Sequence, residues 1–425
     1  MTDAPAVPAA GRSPHTPARR RRRRLVTVAA LVLVVATGGY IAVCASAPLP
    51  ALRPALLVPG SASIDADATL ADASIATEIL PTAFGWAGDD AVWASDPAPH
   101  PLASITKLVT VRVCQEAAPV APGGAGPSSA WTEADVGRQA ELVALDGVAF
   151  PVPAGTVFSA HDMLTLMLLP SANDFAAAYA NSVFGSNEAF VAAAKEWASE
   201  NGIESLTIVE PSGMEEGNQA SAADVVRIGR LVLADPTLAE LTRLRAADVP
   251  GIGTVENTNP LLGAAGVIGL KTGRSSDAGY NLAAAQTGDA SGRAVVKISV
   301  TLGRPTAQDR ADSSRKVLAS MNAMAQPREF VAEGEKLGSV VTWTGKAVPL
   351  VASQAASGTL VPGEAASRKI SLGQLEAGPA GQAAGSVAVE SPAGAADVPV
   401  VTGASITEPD LWWRLTHPKA LLGWG

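Results

Sequence analysis

A serine hydroxyl is a poor nucleophile at neutral pH unless a neighbouring base takes its proton, and a lysine one helical turn later can be that base. Residues three apart on a helix emerge on one face, with their Cβ atoms about 5–6 Å apart. The chain has nine lysines, and two have a serine three residues earlier, in Ser104-Ile105-Thr106-Lys107 and Ser313-Ser314-Arg315-Lys316. The second pair lies among Asp309, Arg310, Asp312 and Arg315, where a lysine stays hydrated and protonated. Ser104 instead follows Pro99 and Pro101, which suits the start of a helix, and Lys107 runs into Leu108, Val109 and Val111. Burial among such neighbours disfavours the charged amine. The backbone NH groups of a helix start also favour the negative charge that develops on an attacked carbonyl.

Such a pair needs partners: a hydroxyl to relay the proton, an amide to hold the substrate, and a second cation to bind a carboxylate and depress the base. Ser171-Ala172-Asn173 follows the helical run 161–169 and Pro170, so it is expected on a turn between two helices. Lys271-Thr272-Gly273 follows a strand-like segment, 267–270, with residues 281–286 and 294–302 forming a hairpin beside it around the turn 287–293. The intervals from 104 to 171 and from 171 to 271 are 67 and 100 residues. The four histidines, His15, His100, His161 and His417, include no pair at metal-helix spacing, and no Gly-x-Ser-x-Gly elbow occurs. Metal and Ser-His-Asp chemistry are therefore not indicated.

Three patterns in this order, S-x-x-K, S-x-N and K-T-G, resemble the penicillin-binding proteins and serine β-lactamases, and most of all the low-molecular-mass D-alanyl-D-alanine carboxypeptidases. The runs ASITKLVT at 103–110, SAND at 171–174, PSGM at 211–214 and AGYNL at 278–282 also recur in that family. The resemblance implies Ser104 as acylated nucleophile, Lys107 as its base, Ser171 as proton shuttle toward the leaving amine and Asn173 as a holder of substrate backbone. Lys271 would supply positive potential for a substrate carboxylate, with Thr272 donating nearby. The NH groups of Ser104 and Arg274, the residue after Gly273, would form the oxyanion hole, and Arg310 would bind the terminal carboxylate. The implied substrate is a peptidoglycan stem peptide ending in D-Ala-D-Ala, with β-lactams as covalent inhibitors and no cofactor or metal. Ala172 replaces the glycine common in close relatives, and Arg274 adds a cation beside Lys271. A class A β-lactamase would add a glutamate to activate the deacylating water, but Glu210-Pro211 is not followed by the Leu-Asn such a loop carries. A non-catalytic wall-binding module is the third reading, and the full set of polar site residues speaks against it.

These residues must be held by a fold of matching size. The chain has 425 residues, 48% hydrophobic and 17% charged, with a formal charge of −9 and two cysteines. That excludes disorder and disulfide scaffolds, and it argues against a nucleic-acid partner. Residues 1–24 carry seven arginines and Asp3, a charge of +6 that leaves −15 for the remainder. The basic tail abuts the uncharged stretch 25–47, long enough at about 1.5 Å per residue to span a membrane core of about 30 Å. It reads as an uncleaved anchor with the arginines in the cytoplasm and the rest on the extracytoplasmic side of a bacterial membrane. Cleavage after Ala45-Ser46-Ala47 is opposed by Pro48, and Cys114, following Val109, Val111 and Val113, reads as a buried small hydrophobe.

The expected organisation is a Pro-rich tether at 48–74, structureless to about residue 65, then an α+β catalytic domain at 75–326 built as an antiparallel sheet flanked by helices. Ser104 would start a central helix and Lys271 would lie on an edge strand. Short alternating segments broken by Gly and Pro indicate a small all-β domain at 327–408. The tail, 409–425, carries Trp412, Trp413 and Trp424, which would lie at the membrane surface or pack on the β domain.

Overall fold

The computed structural model of the protein describes residues 17–264 and 266–423. The basic tail before residue 17, including Arg12, and Trp424 lie outside the described residues.

Alternation along strands and all-round burial along helices build the catalytic body. Its sheet has five antiparallel strands in the order Val267–Ser275, Gly279–Ala290, Arg293–Arg304, Thr82–Trp86 and Trp93–Ala94. Successive side chains of a strand point to opposite faces, and here both faces are covered. Ala283 and Ala285 face a core shared with the helices Thr106–Ala117, Ala160–Leu168, Asn173–Phe184 and Ala222–Ala234. Leu282 and Ala284 face the other core, with Ala311, Val317 and Leu318 of the helix Ala307–Ser320. The hairpin turns on Ser291 and Gly292, both at positive φ (56° and 89°), as a two-residue connection between right-twisted strands requires. The Thr106 helix is buried nearly all round, the mark of a central helix. The body also begins earlier than residue 75, because Ala71 of the helix Thr69–Ile75 is fully buried under the sheet.

The second body is all β. A seven-stranded sheet runs Ala55–Leu56, Lys336–Val341, Ala347–Ala352, Gly394–Thr402, Ala383–Ser391, Ala365–Leu372 and Ser61–Asp65, beside the pair Gln326–Val331 and Ala356–Leu360. The segment expected as a structureless tether therefore supplies both outer strands. An edge strand needs only its backbone, so small residues suffice, and Pro48, Pro50, Pro54 and Pro59 fall outside the paired positions, where no ladder NH is demanded. Only residues 57–60 join these two strands, so the sheet must curl until its edges approach. The two bodies are fastened by a bidentate ion pair, Arg293 to Glu364 at 2.8 and 2.7 Å.

The first described element is the helix Pro17–Ser46, which takes in arginines as well as the apolar stretch. Its residues from Arg20 onward are long and apolar enough to cross a membrane. Among the described residues, the tail packs on the end of this helix. Tyr40 Oη donates to the carbonyl of Leu415 at 2.6 Å, and Arg414 donates to the carbonyls of Ala45 and Ala47 at 3.3 and 2.8 Å. Trp413 stacks on His417 with ring centroids 4.5 Å apart, while Trp412 is exposed.

Candidate active site

The nucleophile segment enters its helix through a tight turn, Ala103–Ile105, so that Ser104 sits in the turn and Lys107 in the first turn of the helix Thr106–Ala117. Ala103 adopts φ 48°, a left-handed conformation uncommon for a residue with a Cβ. Neighbouring groups hold it there. Asn281, fully buried on the central hairpin, donates Nδ2 to the carbonyls of Pro101 and Leu102 at 3.0 and 3.1 Å, and Leu102 N donates to the Asn218 carbonyl at 2.9 Å.

Lys107 is wholly buried, and its Nζ lies 3.0 Å from Ser104 Oγ, 2.8 Å from Asn173 Oδ1 and 2.6 Å from the Ser212 carbonyl. Two of these partners can only accept, whereas a hydroxyl can also donate. A neutral amine therefore keeps all three contacts by donating to Asn173 and Ser212 and accepting the Ser104 proton.

Asn173 starts the helix Asn173–Phe184, and Ser171 lies in the turn before it at φ 72°. This turn is fastened by Ala172 N to the Leu166 carbonyl at 2.9 Å and by Asn173 N to the Val148 carbonyl at 2.7 Å. Lys271, Thr272 and Gly273 lie on the edge strand, and a Cβ on Gly273 would meet the Leu102 carbonyl oxygen at 2.7 Å and Ile105 N at 3.3 Å. The strand thus runs directly against the nucleophile turn. Thr272 Oγ1 is 2.6 Å from Thr258 Oγ1. Arg310, which also reads as a charge on a helix surface, is buried instead, with Nη1 3.5 Å from the carbonyls of Gly273 and Asn281 and Nε without a partner among the described residues. Arg274 and Arg310 both sit over the Tyr280 ring, 5.6 and 5.7 Å from its centroid. In the second serine–lysine pair, Ser313 and Lys316, the lysine forms an ion pair with Glu78 at 2.8 Å.

Electrostatics follow from burial. Desolvation pulls the Lys107 ammonium down to about 7, against the opposing pull of Glu210 and Asp174. Lys271 is pulled well below its ordinary range by burial first, then by the positive charges of Lys107 and Arg310. Burial raises the Asp174 carboxyl to about 6, against hydrogen bonds from the NH groups of Phe150 and Phe175. Cys114 is buried with its thiol pushed up by desolvation, the opposite of a reactive thiolate.

Three contributors have no role in the motif reading, although their residues fall in its runs. Asn281 staples the turn to the sheet, Tyr280 spaces the two guanidinium groups, and the 210–214 loop supplies the Ser212 carbonyl. An open depression of about 410 Å³ lined by Glu204, Ser205, Asp224 and Arg227 contains none of the site residues.

This juxtaposition of a serine, a buried lysine and a strand-borne K-T-G sits in a stretch that has known relatives. Comparison with protein families matches residues 94–306 to peptidase family S11, described as D-alanyl-D-alanine carboxypeptidase. The chain belongs to this family. Within the S11 match lie Ser104, Lys107, Ser171, Asn173 and 271–274, and Arg310 follows four residues after its end. The S11 chain is 31% identical over 168 residues to D-alanyl-D-alanine carboxypeptidase DacA of Haemophilus influenzae, covering 38% of this chain and 42% of that protein. It is 28% identical over 195 residues to DacD of Escherichia coli K12, covering 45% of this chain and 49% of that protein. The chain thus spans about half the length, or less, of these curated relatives. Its fold is similar to that of penicillin binding protein 5 from H. influenzae, with TM-score 0.54 at 23% identity over 77% of this chain and 97% of that one.

Proposed function

We propose that the protein is a serine-type D-Ala-D-Ala carboxypeptidase that removes the terminal D-Ala of peptidoglycan stem pentapeptides through an acyl-enzyme on Ser104. The observation that carries this reading is the 3.0 Å contact between Ser104 Oγ and a buried Lys107 Nζ whose other partners are acceptors. In this mechanism the Ser104 oxygen attacks the carbonyl carbon of the penultimate D-Ala while its proton passes to Lys107 Nζ. The NH groups of Ser104 and Arg274 stabilise the oxyanion. The C–N bond then breaks, the leaving amine takes the proton from Lys107 by way of Ser171, which leaves Lys107 neutral again, and Asn173 holds the acyl portion. Water attacks the ester, giving its proton to Lys107, which returns it to Ser104 Oγ as the acyl C–O bond breaks.

Arg310, Thr272 and Lys271 would receive the terminal carboxylate, and an arriving anion would favour the charged form of Lys271 that burial disfavours. The same acylation chemistry would trap β-lactams. The N-terminal helix would anchor the catalytic body on the extracytoplasmic side of the membrane. Glu210 is unsuited to the β-lactamase alternative, because its carboxylate is taken up by the NH groups of its own loop at 2.5–2.8 Å.

The test is release of free D-Ala from a D-Ala-D-Ala pentapeptide by the full chain in detergent, with Ser104→Ala as control. Release by the wild type alone supports the proposal. Rapid penicillin hydrolysis without D-Ala release would point to the lactamase, and neither activity to a binding module.

A further inference from the structure

Glu210 heads the sequence Glu210-Pro211-Ser212-Gly213-Met214-Glu215, and the proline fixes φ so that the chain folds back over the acid. One carboxylate oxygen accepts from Ser212 N at 2.6 Å. The other accepts from Gly213 N at 2.5 Å, Met214 N at 2.8 Å, Glu215 N at 3.4 Å and Asn218 Nδ2 at 2.6 Å. Successive NH groups converging on one anion make a nest, and charge-assisted bonds of this kind are the strong ones. In each of these contacts a backbone or amide N–H donates to a Glu210 oxygen.

The backbone that this nest folds lies against the nucleophile segment. With the NH groups turned inward to Glu210, the Ser212 carbonyl reaches Lys107 Nζ at 2.6 Å and the Pro211 carbonyl accepts from Thr110 Oγ1 at 2.7 Å, one turn further along the same helix. Gly213, at φ 86°, lies against the Ala103 carbonyl, and a Cβ there would be 3.0 Å from Ser104 N. Asn218 closes the loop, accepting from Val209 N at 2.8 Å and offering its own carbonyl to Leu102 N at 2.9 Å.

We infer that Glu210 is a positioning residue for the base and the nucleophile: its carboxylate folds the 210–215 loop so that the Ser212 carbonyl orients Lys107 and Gly213 braces the backbone of Ser104. This rests on the acyl-enzyme reading above and adds to it a residue that touches neither substrate nor the reacting atoms. The groups facing Lys107 are the acids Glu210 and Asp174 and the cation Lys271, with Arg310 beyond it. Neutralising Glu210 therefore has two effects of known sign: it loosens the carbonyl that aims the amine, and it removes an anion that favours the protonated amine.

The experiment measures the second-order rate of acylation by a fluorescent penicillin from pH 5 to 9 for the full chain in detergent, for wild type, Glu210→Gln and Glu210→Asp. Misplacement of a reacting group by about 1 Å can cost about 10²-fold, so Glu210→Gln is expected to lose about 10²-fold at its optimum and to move the acid limb to lower pH. Glu210→Asp keeps the charge on a shorter stem and is expected to lose less rate, with the limb near its wild-type position. A Glu210→Gln protein with wild-type rate, or with reduced rate and an unmoved limb, overturns the inference. If Glu210→Gln does not fold by circular dichroism, Glu210→Asp decides: reduced rate with an unmoved limb supports the role, and wild-type rate overturns it. A wild type that takes no label sinks the acyl-enzyme reading itself.

Discussion

Lowering the pH from 8 to 5 is the simplest perturbation of the proposed base. Only the neutral form of Lys107 can take the Ser104 proton, and desolvation brings its ammonium down to about 7. At pH 8 about nine-tenths of the amine is then neutral, and at pH 5 about one-hundredth, a ratio of about ninety-fold. Asp174 modifies the lower end, because its carboxyl, raised to about 6, is ionised above that pH and protonated below it. Once it is neutral, an anion that favours protonated Lys107 is gone. The slope below pH 6 should therefore be shallower than one decade per unit, and ninety-fold is the upper bound. The assay is the stopped-flow acylation rate with a fluorescent penicillin over this range. Asp174→Asn, which removes the second titration, should shift the limb to lower pH and restore a slope of one. A rate that changes less than about threefold between pH 8 and 5, or a limb centred above about 9, would refute the argument that burial neutralises Lys107.

Further outcomes follow from other contacts. Arg310→Gln removes the buried guanidinium that lies 3.5 Å from the Gly273 carbonyl; a lost charge-assisted bond of about 1.5–3 kcal/mol should lower kcat/KM for the pentapeptide about 10- to 150-fold. Gly213→Ala puts a Cβ into the Ala103 carbonyl at a positive φ. It should cost at least about 1–3 kcal/mol in urea unfolding and abolish penicillin labelling together. Arg304, 2% exposed, donates to the carbonyls of Pro81 and Leu302 and to Thr82 Oγ1 at 2.7–2.9 Å and lies 3.7 Å from Glu78. Arg304→Ala strands these acceptors and should lower stability by about 3–5 kcal/mol in the same assay.

The parts of the site legible from sequence are those carried by side chains at regular spacing. Ser104 and Lys107 are one helical turn apart, Ser171 and Asn173 follow a helix that ends at a proline, and residues 281–286 and 294–302 pair as the hairpin beside the strand of Lys271. Backbone atoms leave no such trace. The acceptor that aims Lys107 is a peptide carbonyl, which every residue possesses, and it is placed by Glu210, whose letter alone suggested a lactamase base. Residues 55–56 and 61–65 carry no strand signal for the same reason: outer strands pair through NH and CO groups, and a run of Ser, Ala and Pro reads as a tether. Arg310 is legible only through resemblance, because its surroundings are Tyr280 and the carbonyls of Gly273 and Asn281, brought to it by two strands distant in sequence.

Peptide mapping after incubation with benzylpenicillin tests the central claim most directly. The full chain should gain a single penicilloyl group, located on Ser104 of the peptide that also contains Lys107, and Ser104→Ala should gain none. An unmodified protein, or an adduct on any other residue, would contradict activation of Ser104 by the buried amine.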